Sequence, residues 1–276
     1  MAASVVIRRS PGLRTVFAKT LRDQRRSLMW WAIALVGTVL MYAAFWPNVR
    51  DNADAFDEYL RNMPEAIRNL IGGLDFGTPE GYLQSELFSF MGPILFLTYA
   101  IGAGARAIAG EEEEGTLDLL LSTPTSRRHV LREKFWALVA ATLLLVGLTW
   151  ASIVVFGAPF DLTLDTEGLM ATCVNLFLLA LAFGSIALAI GAATGNKTLA
   201  IGASSGFALS TFLVKTFAPS VDALEPLNLL SPFHYYIDHD PLRTGFNGVD
   251  VLVLASISVV AVAVALVTFE RRDLAS

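Results

Sequence analysis

Side chains that could do chemistry are concentrated in three short segments of this chain. One is a run of four carboxylates, Glu111 to Glu114, followed by Gly-Thr-Leu. The second holds imidazole and carboxylate groups at His234, Asp238, His239 and Asp240. The third, residues 191–198, is glycine-rich and ends in Lys-Thr. A carboxylate run can pair with basic groups, imidazole with carboxylate can ligate zinc, and a glycine-rich loop can hold phosphate.

The glycine-rich segment 191–198 nearly spells a phosphate-binding loop but departs from it at one position. Asn196 stands where the motif has the glycine before its lysine. The segment also follows an apolar helix instead of a strand, so the strand-loop-helix context is missing. We therefore predict a tight turn between two membrane helices, with Lys197 as an ordinary basic loop residue. We expect no cofactor to be bound by this chain.

The histidine and aspartate cluster has two interpretations. On one helical turn His234 and Asp238 would share a face, whereas His239 would point away. The surrounding run, Ser-Pro-Phe-His-Tyr-Tyr over residues 231–236, is rich in aromatic residues that favour the membrane-water boundary. One interpretation is an interfacial loop; the other is a site for zinc or another divalent ion. The first is favoured, so we expect no metal.

The acidic run also has two interpretations, because four consecutive carboxylates are often only a solvated segment. Here Thr116 can cap a short helix and Pro124 can stop it. Leucines would line one side of that helix, at Leu117, Leu120 and Leu121. Basic residues follow, at Arg127, Arg128, Arg132 and Lys134. A short helix with leucines between charges is suited to docking in a groove of another protein, and we predict this role.

The elements that must hold these segments are membrane helices. Of the residues, 54% are hydrophobic and 16% charged, against roughly 25% charged in soluble domains, and the mean hydropathy is +0.57. A bilayer core needs about 20 apolar residues per helix. Six runs qualify, over residues 28–46, 87–109, 135–158, 168–193, 199–217 and 249–269. The predicted fold class is all-α: one integral membrane domain of six transmembrane helices over residues 1–276.

Lysine and arginine predict the orientation of the helices. They are concentrated before the first run, between residues 110 and 134, and after the last run. The predicted loops 47–86 and 218–248 hold only Arg50, Arg61, Arg68 and Arg243. The positive-inside rule then places both termini and the 110–134 hairpin in the cytoplasm. Arg106 and Lys215 lie near helix ends, from which long side chains can snorkel to the interface.

Two segments outside the runs are amphipathic. Residues 11–27 carry an apolar face of Leu13, Val16, Phe17, Thr20 and Leu21, which predicts a basic helix on the membrane surface. The alternative is an ordinary basic anchor. Residues 55–71 repeat apolar residues at helical spacing and contain Pro64, which predicts a second, interrupted helix.

The apolar runs hold no machinery for energy conversion. Residues 28–46, 135–158, 168–193 and 251–269 contain no lysine, arginine, aspartate or glutamate. Proton-coupled carriers bury ionisable relays, so energy from a partner outside the membrane is favoured. Gly92-Pro93 predicts a kink in the second run. Aromatic residues of the second and fifth runs could line an apolar path for lipophilic cargo, at Phe88, Phe96, Tyr99, Phe207 and Phe212.

The hairpin pattern Glu-x-x-x-Gly-Thr-Leu-x-Leu-Leu-Leu-Ser-x-Pro-x-Ser-Arg, from Glu111 to Arg127, resembles the cytoplasmic hairpin of permease subunits in ABC type-2 exporters. The basic helix before the first run, the acidic amphipathic segment after it and Ser-Pro-Phe-His-Tyr before the sixth run also resemble that family. The resemblance implies a permease in the cell membrane, paired with a second permease, identical or different, and with two ATP-binding-cassette subunits. ATP and Mg would be bound by those ATPase subunits.

By the same resemblance, residues 110–134 would form the coupling segment that receives the movement of the ATPase. The coupling residues would be Glu111, Glu112, Glu113, Glu114, Gly115, Thr116, Leu117, Arg127 and Lys134. Phe17 and Arg22 would belong to the interface helix beside it. Membrane lipid is the other expected partner; nucleic acid and catalytic residues are not expected. The alternatives are a non-transport membrane module, such as an immunity, sensor or assembly factor, and a membrane metalloenzyme that uses the outer histidine and aspartate cluster.

Overall fold

The computed structural model describes residues 15–53, 58, 62, 76–117, 125–218 and 225–272. Within these ranges there is no strand, and six helices are long and apolar enough to cross a membrane. They are α1 (Val16–Asp51), α2 (Pro79–Glu113), α3 (Arg127–Phe160), α4 (Thr166–Thr194), α5 (Lys197–Phe217) and α6 (Gly248–Arg271). The prediction of an all-α membrane fold with six spans is confirmed. The amphipathic helix predicted over residues 55–71 lies outside the described residues, apart from Glu58 and Asn62.

Helix α1 is one continuous helix of 36 residues. It contains most of the predicted interface helix, residues 11–27, and all of the predicted first span, residues 28–46. The Thr15 hydroxyl caps its start by accepting a hydrogen bond from the Ala18 N–H at 3.2 Å. Residues 16–36 contain neither glycine nor proline, so nothing in the sequence separates the basic segment from the apolar one.

Helix α2 starts eight residues before the predicted span and is irregular. Two π-helical segments, Gln84–Met91 and Arg106–Gly110, interrupt its α-helical turns. The first ends just before Gly92 and Pro93, where the sequence predicts a kink. A Cβ at Gly92 would lie 2.7 Å from the Leu87 carbonyl oxygen, so only glycine fits the widened turn. Such π-segments are frequent at functional sites.

Helices α2 and α4 form the centre of the bundle. In α4, 72% of the most apolar window is buried, whereas the figure is 22% for α1, α5 and α6. The backbones of α2 and α4 approach so closely that a Cβ at Gly104 would overlap the Gly184 carbonyl oxygen. Three helices therefore lie at the periphery and keep wide apolar faces for lipid or for another protein.

Residues 225–247, which precede α6, fold back against the bundle. The buried Tyr236 hydroxyl donates to the Phe88 carbonyl at 2.7 Å, and the Asn175 amide donates to the Tyr236 carbonyl at 3.2 Å. A short helix, Pro241–Thr244, packs on the start of α4, where a Cβ at Gly168 would overlap the Leu242 carbonyl oxygen. This end of the bundle is thus closed by hydrogen bonds and by close backbone packing.

Replacing Gly104 by alanine should destabilise the protein by about 1–3 kcal/mol, because the added methyl group must push α2 away from α4. Gly147→Ala is the matched control: its Cβ would meet nothing within 4 Å, and alanine favours a helix over glycine. The free energy of unfolding in an SDS titration measures both. Equal stability of the two variants would contradict the close packing of α2 on α4.

Candidate functional site

Four parts of the chain meet at one end of the bundle, here called the hairpin end. They are the start of α1, the end of α2 with the start of α3, the α4–α5 turn and the end of α6. Residues Glu111–Glu113 form the last turn of α2, and Gly115, with φ of 68°, follows it. Carboxylates at the C-terminus of a helix are opposed by the helix dipole. These glutamates therefore need cations from elsewhere in the chain.

Glu111 forms an ion pair with Lys134 of α3. The Lys134 side chain is only 3% exposed and the Glu111 side chain 16% exposed. A buried ammonium group is tolerated where a carboxylate compensates its charge. The structure therefore brings together two of the predicted coupling residues. They pair with each other within this chain and not with a partner protein.

Glu112 pairs with Arg272, at the end of α6. The Arg272 guanidinium also donates to the Ala192 carbonyl at 3.1 Å. It lies directly below the α4–α5 turn, where a Cβ at Gly195 would overlap it. Arg272 thus joins α2, α4 and α6, a role that no sequence pattern predicts.

Glu113 binds the start of α5 in two ways. One carboxylate oxygen accepts the Lys197 backbone N–H at 2.8 Å, and the other lies 3.3 Å from the Lys197 ammonium nitrogen. A carboxylate at a helix N-terminus satisfies an unpaired backbone donor and is favoured by the helix dipole. The three glutamates consequently tie the end of α2 to three different helices: α3, α6 and α5.

Arg127 fastens the start of α3 to the end of α6. Its guanidinium donates to the carbonyls of Phe269 and Arg272 at 3.1 and 2.6 Å and lies 5.7 Å from the centre of the Phe269 ring. Arg128 pairs with Glu270 on the same helix end. The two hydrogen bonds from Arg127 satisfy C-terminal carbonyls that the helix itself leaves free.

The predicted interface residues lie beside this network. The Phe17 backbone N–H donates to a Glu133 carboxylate oxygen at 2.8 Å, which attaches the start of α1 to α3. The Phe17 side chain is half-buried, and Arg22 is exposed. Glu133 was not among the predicted residues, although it stands next to Lys134 in the sequence.

The docking surface predicted from leucines needs correction. Leu117 is 1% exposed and packs in an apolar cluster of this chain with residues of α2, α3 and α6, namely Ile108, Val130, Leu131 and Phe269. It is therefore closed to a partner. The Thr116 hydroxyl donates to the Glu111 carbonyl at 3.2 Å, at the end of α2. Leu120, Leu121 and Pro124 lie outside the described residues, whereas Glu114 and Gly115 are exposed.

The glycine-rich segment is a tight turn between α4 and α5. The Gly195 N–H donates to the Gly191 carbonyl at 2.8 Å, and the Asn196 N–H donates to the Thr194 hydroxyl at 3.2 Å. The Leu199 N–H donates to the Asn196 side chain at 2.8 Å. Together with the Lys197 N–H, which donates to Glu113, these bonds occupy four backbone donors of the turn. The turn predicted for this segment is observed.

The histidine cluster lies at the opposite end of the bundle. His234 Nδ1 lies 2.9 Å from Asp238, which also pairs with Lys215 at 3.3 Å. His239 Nδ1 lies 2.9 Å from the buried Asp250 carboxylate. The prediction that His234 and Asp238 share a face is correct.

The prediction that His239 points away is wrong. The rings of His234 and His239 are 5.2 Å apart between centroids. Residues His234–Asp238 are π-helical, and a π-helix relates residues five apart. Asp240 adopts φ of 49° and pairs with Arg243 at 3.7 Å. In the described ranges, no group of three or more histidine, cysteine, aspartate or glutamate side chains could hold a metal ion.

The predicted aromatic path also needs correction. Phe88, Phe96 and Tyr99 are buried inside the bundle because the faces of α2 that carry them pack on the other helices. Phe207 is exposed and its ring contacts that of Phe183. Between α2 and α5 there is instead an open cleft of about 380 Å³. The residues that line it are Phe90, Pro93, Ile94, Leu97, Thr98, Ile101, Ser205, Ala208, Leu209, Phe212 and Phe233. Of the predicted path, Phe212 lines this cleft.

We predict a strong coupling between Glu111 and Lys134. Glu111→Gln alone leaves a buried ammonium group without its counter-ion and should cost about 3 kcal/mol or more of the free energy of unfolding. Combining Glu111→Gln with Lys134→Met removes both charges, so the pair should cost at least about 1 kcal/mol less than the sum of the single changes. SDS titration of the four proteins measures this cycle.

Glu114→Gln is the control for this cycle, because Glu114 is exposed and has no ion-pair partner among the described residues. It should change the free energy of unfolding by less than about 0.5 kcal/mol. Additive effects of the changes at Glu111 and Lys134 would contradict the pairing.

A comparison with protein families identifies the family of this chain. The model of the ABC-2 family transporter proteins matches residues 14–274, nearly the whole chain. A comparison with curated proteins found no match. Proteins of this family are membrane components that work with an ATP-binding-cassette subunit. The chain, with its six membrane helices, belongs to the ABC-2 family of transporter proteins and is a multi-pass membrane permease component of an ABC transporter.

Proposed function

We propose that this chain is the permease subunit of an ABC exporter and that the acidic end of α2 couples it to a separate ATPase. The observation that carries the proposal is the set of three ion pairs from Glu111, Glu112 and Glu113 to α3, α6 and α5. In that arrangement a movement of the end of α2 would act on α3, α5 and α6 together.

The proposed orientation has the hairpin end and both termini in the cytoplasm of a cell membrane. The hairpin end carries many of the basic residues of the chain, among them Arg127, Arg128, Arg132, Lys197 and Arg272. A cytoplasmic excess of lysine and arginine is the usual bias of membrane proteins. In this orientation the acidic hairpin faces the compartment that holds ATP.

The coupling divides into two roles. Glu114 and Gly115 are exposed and serve as the contact with the ATPase. Glu111 and Glu112 are partly buried and Glu113 is more exposed. All three serve as transmitters, and the two partly buried ion pairs are the most costly to separate. When the ATPase subunits bind ATP and Mg and close, the hairpin moves and the ends of α3, α5 and α6 follow. The permease then changes between its two openings as a set of rigid bodies.

A second permease, identical or different, is proposed to cover the face of α5. Helix α5 exposes Leu209, Leu213 and Phe217. On the same helix, a Cβ at Gly202 or Gly206 would meet nothing within 4 Å. Small residues on a membrane helix permit the close approach of another helix. The cleft between α2 and α5 would then face the partner permease and form part of the path for cargo, while lipid covers the remaining apolar faces.

In this proposal the chain has no catalytic residues, because ATP hydrolysis belongs to the partner. The second candidate function is a non-transport membrane module, such as a sensor, that binds an ATPase without moving cargo. It differs in one measurable result: its ATPase would respond to the permease, but no substrate would cross the membrane.

The two roles at the hairpin predict two different defects. When the chain is co-expressed with its cognate ATPase and purified, Glu114→Lys should reduce the recovered ATPase several-fold, because it reverses the charge of the proposed contact. Arg272→Ala should leave the complex intact but lower cargo-stimulated ATPase activity and vesicle transport. It breaks the contacts from α6 to Glu112 and to the Ala192 carbonyl without changing the exposed contact.

Glu225→Lys is the matched control, since it reverses an exposed charge at the opposite end of the bundle and should leave both measurements unchanged. If Glu114→Lys keeps full recovery of the ATPase, the contact is elsewhere. If Arg272→Ala keeps normal transport, the ion pairs do not transmit the movement. ATPase stimulation without any transport would favour the sensor.

A further inference from the structure

Arg106 has an unusual position on α2. It opens the second π-helical segment, Arg106–Gly110, and its side chain is exposed. Two glycines flank it on the helix surface. The guanidinium lies 3.6 Å from the place that a Cβ would take at Gly102, while its Cβ lies 3.2 Å from the corresponding place at Gly110. The side chain therefore lies along the helix, with its charge beside Gly102.

The direction of this side chain differs from the sequence prediction. A snorkelling arginine near the end of a membrane helix turns towards that end, which for Arg106 is the end at Glu113. The guanidinium turns the other way, towards the middle of α2. Helical side chains incline to the helix N-terminus, and glycine at position 102 leaves room for the charged group.

Arg106 also has no counter-ion in the part of the chain that the structure describes. Among the described residues no carboxylate pairs with it, whereas Arg127, Arg128, Lys134, Lys197 and Arg272 at the hairpin end all have ion-pair or hydrogen-bond partners. An exposed guanidinium on a membrane helix with no such partner is available to an anion. Such a residue marks a site for a group of opposite charge.

A stripe of accessible residues leads from Arg106 to the cleft between α2 and α5. On a helix that is otherwise mostly buried, the exposed or half-exposed positions Phe90, Ile94, Thr98, Gly102 and Arg106 recur at a spacing of four. Residues four apart lie on the same side of a helix. The first three line the cleft, and Gly102 connects it with the guanidinium.

The cleft itself suits an apolar chain. None of its lining residues is charged. It follows α2 from Phe90 to Ile101, roughly 16 Å at 1.5 Å per residue. Its volume of about 380 Å³ lies within the usual range for a small-molecule site. An elongated apolar group could lie in the cleft and place a polar head beside Gly102, one helical turn from Thr98.

We propose that Arg106 receives the anionic head of an amphiphilic cargo, a phosphate or carboxylate, whose apolar chain lies in the cleft between α2 and α5. The proposal rests on the function proposed above and adds a chemical class of substrate to it. A guanidinium matches a phosphate or carboxylate with two parallel hydrogen bonds, which an ammonium group cannot reproduce. The absence of carboxylates from the cleft disfavours cationic amphiphiles.

Binding of two probes with the same alkyl chain tests the proposal. The full chain is reconstituted in phosphatidylcholine nanodiscs without ATPase, and binding of radiolabelled dodecyl phosphate and dodecyltrimethylammonium is measured. Wild type should bind the phosphate saturably and more tightly than the ammonium probe. Arg106→Gln should raise the dissociation constant for dodecyl phosphate about tenfold or more, because charge-assisted hydrogen bonds are lost. Arg106→Lys should recover part of that loss.

Two further variants distinguish the contribution of the apolar chain of the probe from that of its anionic head. Leu209→Trp fills the cleft and should weaken binding of dodecyl phosphate although the charge remains. Arg25→Gln removes an exposed cation from α1 and should change nothing. Equal binding of the two probes to wild type, or unchanged phosphate binding by Arg106→Gln, would overturn the proposal.

The source of the anion is tested by changing the bilayer. If phosphatidylglycerol at half of the lipid abolishes binding of dodecyl phosphate, the site holds a resident membrane lipid and the cargo assignment fails. If binding persists, the cargo assignment is supported. Because these measurements contain no ATPase, their failure leaves the coupling proposal standing, and a failed coupling experiment leaves the binding result intact.

Discussion

Three carboxylates can lie together at the end of α2 only because each meets a cation from a different helix. They stand at the unfavourable end of the helix dipole and close to one another, so their repulsion must be compensated. Lys134, Lys197 and Arg272 supply the compensation, and each brings its own helix with it. Charge balance thus determines which helix ends must be neighbours, and the apolar packing between α2 and α4 sets how close they come.

The sequence predicts the six membrane helices well, because long apolar runs have few alternatives in a bilayer. It also predicts Lys134 and the acidic run as one functional segment, since they lie in one hairpin. Arg272 could not be found in this way: it is 160 residues from Glu112, and no spacing rule connects residues so far apart. The pairing of Lys197 with Glu113 is hidden for the same reason, because 84 residues separate the two.

The errors at individual residues have physical causes. Leu117 has the amphipathic pattern of a docking helix, but periodicity does not tell whether an apolar face meets a partner or its own chain. Phe88, Phe96 and Tyr99 share α2 with the cleft, and the π-helical segment that precedes Gly92 changes which side of the helix each residue occupies. The same effect brings His239 beside His234. Departures from α-helical geometry are hard to read from sequence, and they occur near the features proposed to bind and move cargo.

The contact of Arg272 with Glu112 has a consequence for the synthesis and membrane insertion of the chain. Helix α2 is synthesised long before α6. Four further membrane helices, α3 to α6, must therefore be made before Arg272 can pair with Glu112. Until then, Glu112 is without the cation with which it pairs in the complete bundle. Insertion of α6 supplies this cation and joins the ends of α2 and α4 through Arg272. The order of translation therefore makes α6 the helix that completes the contacts between the ends of α2 and α4.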